Sequence, residues 1–199
     1  MKKFVITIDR QFGSMGRPIA RELAKNLGVE YFDRDIVEEA AKTMKLPVST
    51  ISSKEESAKK TFFNMRFPLG NATSEIQDEI FQTQQKIILN LAEQKSCIIV
   101  GRCADYILRD FDNHLSVFIY APYQARFDNC IQKLDMSPEE AKKMIEEVDV
   151  ARDVYHVHYT GALPNDLNRK NLMIDSSVLG IEGTADYLAY MIRKKYGGD

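Results

Sequence analysis

The sequence is poor in cysteine, in long apolar runs and in net charge of either sign. Its three cysteines are an odd number without CxxC spacing, which argues against a disulfide framework and a structural zinc site. No apolar run approaches the roughly 18 residues that a membrane span needs, and the short apolar segment near Met1 lacks the features of a secretion signal. We therefore expect a cytoplasmic protein that works away from membranes.

The formal charge is -2, from 27 basic and 29 acidic side chains in 199 residues. Such a balance gives no reason to expect binding to a nucleic acid polymer or to an acidic membrane surface. The sequence also lacks the GxSxG elbow of a hydrolase. Its length suits a single domain spanning residues 1–199, and its 44% hydrophobic content is typical of a globular fold.

Short apolar segments alternate along the chain with helical patterns. Most of the segments are continuously apolar, which is typical of a parallel sheet covered on both faces. Strands that alternate with helices predict βαβ units and a three-layer α/β domain. The predicted strands are Phe4–Ile8, Val29–Phe32, Cys97–Val100, Leu115–Tyr120 and Leu172–Ile174.

Two polar regions interrupt this alternation. Residues 46–75 are either a loop or a substrate lobe, because long loops in compact domains are usually functional or disordered. Residues 136–162 form a charged helical stretch, either a solvated helix or a lid that closes over phosphates. Ser137 suits the N-cap of that helix, and Pro138 suits its first position.

The strongest functional signal is the turn Gln11–Pro18, between the first strand and the first helix. Glycines permit unusual dihedral angles there, successive N–H groups face inward, and the helix dipole favours an anion. Arg17 adds a permanent charge that can fork onto two phosphate oxygens. The turn predicts a nucleotide phosphate site, although a tight turn with an exposed arginine is the alternative. The predicted phosphate-binding residues are Gly13, Ser14, Met15, Gly16, Arg17 and Pro18.

The turn departs from a strict Walker A loop. Alignment with GxxxxGK[ST] places Arg17 at the lysine and Pro18 at the hydroxyl residue that normally reaches Mg²⁺. Two ways of holding Mg²⁺ then remain: Ser14 as a substitute ligand, or the nucleotide phosphates together with water.

Two more strand ends carry polar residues to the edge where open α/β sheets bind ligands. Asp33 follows the second strand and is either a ligand-binding residue or the cap of the next helix. Arg102 follows Gly101 after a buried strand and is predicted to bind a phosphate or a base. Asp105 comes shortly after it and either assists substrate binding or lies on the surface.

A last candidate segment is Asp149–Gly161. Arg152 is placed to stabilise charge on a transferring phosphoryl group, where arginines contribute most in this chemistry. His156 and His158 alternate, and no third ligand stands near them in the sequence, so we expect no metal site. The predicted catalytic residues are Arg17, Arg102 and Arg152.

The sequence resembles the cytidylate kinase-like family of P-loop kinases over nearly its whole length. The resemblance rests on motifs that recur in order: the loop Arg10–Arg17, Val100-Gly101-Arg102, Tyr159-Thr160-Gly161 and Ile174-Asp175-Ser176-Ser177. It implies a P-loop NTPase fold with five parallel strands, nucleoside-monophosphate-binding helices and lid helices. It also implies transfer of the ATP γ-phosphoryl group to CMP or dCMP with Mg²⁺.

By position, the resemblance implies that the glycine-containing loop holds ATP phosphates, that Asp33 and Arg102 hold the monophosphate, and that Arg152 belongs to the lid. Authentic cytidylate kinases have a full GxxxxGK loop, from which this chain departs. Two alternatives therefore stand beside the kinase: a nucleotide-binding module without catalysis, which Pro18 favours, and a kinase for another small phosphorylated metabolite.

Overall fold

The computed structural model describes residues 2–44 and 73–197. The predicted substrate lobe, residues 46–75, lies outside the described residues except for its last three positions. Those positions begin a long helix that leads back to the sheet.

Five parallel strands form one sheet in the order β2-β3-β1-β4-β5. β1 lies at the centre, where Ile6 is opposite Ile98 on one side and Leu115 on the other. This confirms the predicted α/β fold with a five-stranded parallel sheet. The strands are β1 Val5–Arg10, β2 Glu30–Phe32, β3 Cys97–Val100, β4 His114–Tyr120 and β5 Leu172–Asp175.

Helices cover both faces of the sheet. They are α1 Gly16–Leu27, α2 Arg34–Met44, α3 Thr73–Gln94, α4 Ala104–Ile107, α5 Tyr123–Leu134, α6 Pro138–Thr160 and α7 Ser176–Tyr196. Alternate residues of β1 enter separate cores: Ile6 packs with α1 and α7, whereas Val5 packs with α2, α3 and α4. Because successive strand residues point to opposite faces, continuous apolar strands give this three-layer arrangement.

Helix α6 occupies most of the region predicted as a lid. Its N-cap forms as expected, since the Ser137 hydroxyl accepts from the Glu140 N–H at 3.2 Å and Pro138 is the first helical residue. The helix ends at Gly161, which has a φ of 73°. Lid movement stays a prediction.

Strand β1 runs two residues beyond its predicted end. Asp9 is opposite Phe118 and Arg10 is opposite Ile119, so two charged residues continue the pairing with β4. They therefore lie at the carboxyl edge of the sheet, beside the predicted phosphate loop. None of the described helices is both long enough and apolar enough to cross a membrane.

Candidate active site

The predicted phosphate loop lies between β1 and α1. Gly13 and Met15 have φ angles of 76° and 59°, so the loop turns through left-handed positions before the helix starts. Met15 is the N-cap of α1 and makes no side-chain cap, which leaves the first helical N–H groups without a bond from that residue. Uncapped amides at a helix N-terminus are suited to binding an anion.

Ser14 holds the shape of this loop. Its hydroxyl lies 2.9 Å from the carbonyl oxygen of Gln11 and 3.1 Å from that of Ile119, and the residue is fully buried. A buried hydroxyl directed at two carbonyl oxygens does not fit the role of a Mg²⁺ ligand. Pro18, three residues into α1, brings no hydroxyl in its place.

Three carboxylates near the loop are each paired with a cation: Asp9 with Lys170, Asp33 with Arg17, and Asp149 with Arg126. Mg²⁺ prefers oxygen ligands and usually one or two free carboxylates. The described side chains around the loop therefore do not form a site for the ion. Any Mg²⁺ would be held by nucleotide phosphates and water.

Asp33 brings two of the predicted arginines together. Its carboxylate lies 2.6 Å from Nε of Arg17 and 4.0 Å from Nη2 of Arg102, and it accepts a bond from the Tyr31 hydroxyl at 3.3 Å. Burial, followed by the charge on Asp33, raises the pKa of Tyr31 to about 12. The tyrosine is therefore a neutral donor at physiological pH, and it orients the carboxylate.

The turn that carries Arg102 has an unusual backbone. Gly101, Arg102 and Cys103 have φ angles of 70°, 62° and 52°, so three consecutive residues are left-handed. Left-handed geometry costs a residue with a side chain roughly 1–2 kcal/mol. Strained backbone of this kind is concentrated at functional sites, and here it directs Arg102 toward Asp33.

Arg152 lies against the loop, and its catalytic role stays a prediction. Its Nη1 donates to the carbonyl oxygen of Arg10 at 2.9 Å and lies 3.7 Å from Asp149. Burial, followed by the charge on Arg10, holds the pKa of Arg152 well below its usual value. Since arginine stays protonated in proteins, this shift indicates a charge that is poorly compensated.

Asp149, one helical turn before Arg152, fixes the loop to α6. One carboxylate oxygen accepts from the backbone N–H of Phe12 at 2.7 Å, and the other accepts from Arg126 at 2.5 Å. Arg126 also donates to the Phe12 carbonyl at 3.3 Å, and Asn129 donates to that of Gly13 at 3.0 Å. The loop is thus bonded to α5 and α6 as well as to the sheet.

Asp105 lies in a buried ionic cluster with Asp9, His156 and Lys170. The Lys170 ammonium is 2.6 Å from Asp9 and 2.7 Å from Asp105, and its side chain is only 1% exposed. Nε2 of His156 lies 3.1 Å from Asp105, and Nδ1 lies 2.6 Å from the Ala162 carbonyl oxygen. Both ring nitrogens face acceptors, which favours the protonated imidazole.

These contacts shift the pKa values within the cluster. Burial alone would raise the pKa of Asp105, but the His156 hydrogen bond and the Lys170 charge outweigh it and hold that pKa well below its usual range. Burial and the neighbouring Asp105 raise the pKa of Asp9. Burial alone would lower the pKa of His156, but the bond to Asp105 raises it. The attractions to His156 and Lys170 thus favour the ionised form of Asp105, whereas burial and Asp105 itself oppose ionisation of Asp9.

The fold also brings possible metal ligands together. Asp9, Asp105 and His156 offer ligand atoms that all lie within 4.8 Å of one another. Lys170 already contacts both carboxylates, so the described geometry is that of an ion network. Substrate binding by Asp105 stays a prediction, because its carboxylate is directed to His156 and Lys170.

Four further residues lie at the site although the sequence patterns do not predict them there: Arg10, Arg126, Asp149 and Lys170. Two of the four have a local signal in the sequence. Arg10 belongs to the loop motif, and Asp149 lies three residues before Arg152 on the same helix. Lys170 pairs with Asp9 across 161 positions, and no local pattern indicates that contact.

The chain has the fold of P-loop kinases. An uncharacterised protein from Eubacterium ventriosum ATCC 27560 is 24% identical with a TM-score of 0.70, and the match covers 99% of this chain and 100% of that one. Shikimate kinase from Bacteroides thetaiotaomicron is 9% identical with a TM-score of 0.55, covering 96% and 98%. Shikimate kinase from Acinetobacter baumannii, in complex with shikimate, is 14% identical with a TM-score of 0.52, covering 97% and 92%.

Within that class the chain belongs to the cytidylate kinase-like family, which it matches over residues 5–178. This confirms the resemblance drawn from the motifs. A comparison with curated protein sequences gives no significant match. Membership of the family supports a nucleotide kinase activity.

Proposed function

We propose that the protein transfers the γ-phosphoryl group of ATP to a nucleoside monophosphate, with CMP or dCMP as the preferred acceptor. The observation that carries the proposal is the meeting of Arg17 and Arg102 at Asp33, beside the uncapped start of α1. Family membership supports the same reaction class.

The chemistry requires positioning and charge neutralisation more than a side-chain nucleophile. In the proposed mechanism the loop N–H groups orient the donor phosphates at Gly13–Gly16. Arg17 and Arg102 neutralise the donor and acceptor phosphates, and Arg152 stabilises charge on the group in transfer. Asp33 orients the acceptor. No step depends on a metal ion held by the protein.

A second candidate is a nucleotide-binding module without catalysis. Pro18 replaces the hydroxyl residue of a Walker A loop, and the Ser14 hydroxyl is directed at backbone carbonyls. In this case ATP would bind at the same loop without turnover. A kinase for another small phosphorylated metabolite would differ from the proposed enzyme only in the acceptor of the phosphoryl group.

A coupled assay of ATP with CMP, dCMP, UMP and AMP tests the proposal. We expect turnover that is highest with CMP or dCMP, and a loss of about 100-fold or more in Arg102→Gln, because a charge that stabilises the transition state is removed. Arg109→Gln is the matched control, since Arg109 is an exposed arginine whose guanidinium lies over Tyr106.

The outcomes separate the candidates. Absence of turnover with every acceptor, together with thermal stabilisation by ATP, would replace the kinase by the binding module. Turnover that is lost equally in Arg102→Gln and Arg109→Gln would remove Arg102 from the site.

A further inference from the structure

The guanidinium of Arg10 lies at the loop and forms no ion pair with any residue that the structure describes, although the charge on Asp33 acts on it. Its Nε is shielded from solvent and makes no hydrogen bond within residues 2–44 and 73–197. A buried polar group without a partner is costly, and a charged one more so. Arg17, in contrast, is half exposed and already lies 2.6 Å from the carboxylate of Asp33.

Two glycines make room for the Arg10 side chain. A Cβ added at Gly16 would lie 2.7 Å from Cβ of Arg10, at the first residue of α1. A Cβ added at Gly101 would lie 2.5 Å from Nη1, at the turn after β3. The Arg10 side chain therefore runs from the start of α1 to the turn after β3, across the region where phosphate binding is proposed.

Arg10 lies close enough to three other arginines, Arg17, Arg102 and Arg152, to interact with them electrostatically. Among the described residues, the carboxylates nearest to Arg17 and Arg152 are Asp33 and Asp149. Asp149 is also bonded to Arg126, and Asp9 is committed to Lys170. Burial lowers the pKa of Arg10, Asp33 opposes the effect, and Arg17 and Arg102 lower it further. An arrangement of this kind is stabilised by a bound anion.

We propose that Arg10 is a phosphate-binding residue, and that it supplies the charge contributed by the lysine in a Walker A loop. This inference rests on the proposed function and specifies which guanidinium neutralises the nucleotide. Arg17, which is also paired with Asp33, then contributes a smaller share of the charge at the donor phosphates.

Isothermal titration calorimetry with ATP, ADP and pyrophosphate tests the assignment. Arg10→Gln should weaken the binding of all three by about 10–100-fold, which corresponds to losing one charged hydrogen-bonding group. Arg17→Gln should weaken binding less, because that guanidinium is already paired. Arg10→Lys keeps the charge but loses the fork, so its affinity for pyrophosphate should fall between those of the wild type and Arg10→Gln.

Thermal unfolding without ligand separates a phosphate-binding role from a structural one. Removing an uncompensated charge should raise the midpoint of the ligand-free Arg10→Gln protein while its stabilisation by ATP decreases. A structural arginine would give a lower midpoint. A variant that fails to fold, or that is destabilised with unchanged ATP stabilisation, would therefore overturn the assignment.

The wild type serves as the test of the underlying function. If it binds neither ATP nor ADP, the proposed function fails and the assignment fails with it. If it binds both and Arg10→Gln binds them equally well, only the assignment fails. Wild-type binding with a selective loss in Arg10→Gln supports both.

Discussion

At the scale of single residues, Gly101 combines two separate constraints. Its φ of 70° lies in the left-handed region, and Nη1 of Arg10 occupies the space that a Cβ would need. Gly28 has a similar φ of 65°, but a Cβ there would meet nothing within 4 Å. Substitutions at these two glycines therefore separate the effect of backbone strain from the effect of displacing Arg10.

Gly101→Ala should weaken ATP binding, whereas Gly28→Ala should leave it unchanged. Both variants should lose roughly 1–2 kcal/mol of unfolding free energy from the left-handed backbone. Gly101→Ala should lose little more, because the flexible end of the Arg10 side chain can move away from the new methyl group. Urea denaturation and calorimetry measure the two effects. Equal ATP affinity in the two variants would show that the Arg10 contact has no consequence for binding.

Residues that belong to a local sequence pattern give a signal in the sequence, whereas residues whose only partners are distant in the chain give none. Gly13, Gly16 and Arg102 were predicted because glycine before a helix and arginine after a buried strand are local signals. Lys170 gave no such signal, because its partners Asp9 and Asp105 lie 161 and 65 positions away.

At the scale of elements, helix α6 has contacts at two separated places. Its middle is bonded to the loop through Asp149 and Arg152. Nearer its C-terminus, Tyr159 stacks on Phe81 of α3 with ring centroids 4.0 Å apart and donates to Asp78 at 3.1 Å. The helix therefore joins the phosphate loop to the helix that follows residues 46–72.

Asp149→Asn should destabilise the protein by roughly 2 kcal/mol, measured by urea denaturation. The new amide can still accept from the Phe12 N–H, but the charge that compensates Arg126 and Arg152 is lost, and partial exposure of the pair reduces the penalty of a fully buried ion.

Asp153→Asn is the matched control on the same helix. Burial, followed by the charge on Asp149, raises the pKa of Asp153, so its negative charge is unfavourable in the folded state. This variant should be neutral or slightly more stable. Equal destabilisation of the two variants would mean that Asp149 acts only as a helix residue.

The existence of the strands follows from the apolar pattern of the sequence, but the residues at which they begin and end do not all follow from it. Cys97–Val100 was predicted with its observed bounds because a polar residue and a glycine flank a wholly apolar run. β1 was predicted too short, since Asp9 and Arg10 look like turn residues until their pairing with β4 is known. Strand pairing is a tertiary property and overrides the local preference.

At the scale of the whole molecule, the half-buried His114 and the buried His156 have opposite effects on the pH dependence of stability. Burial lowers the pKa of His114 to about 4, with Asp105 opposing this shift and Lys170 adding to it, and Nε2 of its ring lies 2.7 Å from the Thr7 hydroxyl. His156, which faces Asp105, Asp9 and the Ala162 carbonyl, has a raised pKa. The surroundings therefore favour the neutral form of His114 and the protonated form of His156.

Stability should therefore decrease on both sides of the ordinary histidine pKa of 6.5. Between pH 6.5 and about 4 the unfolded chain binds the extra proton at His114, so stability falls as the pH falls, by at most about 3 kcal/mol. Above pH 6.5 the folded chain holds the extra proton at His156, so stability falls as the pH rises through the folded pKa.

Urea denaturation from pH 4 to pH 9 measures both slopes. His114→Gln should flatten the acid side of the profile and leave the alkaline side, while His156→Gln should do the reverse. Each variant is the control for the other. An acid slope that persists in full in His114→Gln would assign it to other groups.

The sequence has three cysteines, and all three are buried free thiols. Burial raises the pKa of Cys97 to about 12, and it also raises the pKa values of Cys103 and Cys130. Because the thiolate is the reactive form, maleimide reagents should leave the native protein almost unlabelled. A single engineered cysteine at Val154, which is 52% exposed on α6, would then carry one fluorophore and report the response of that helix to added nucleotide.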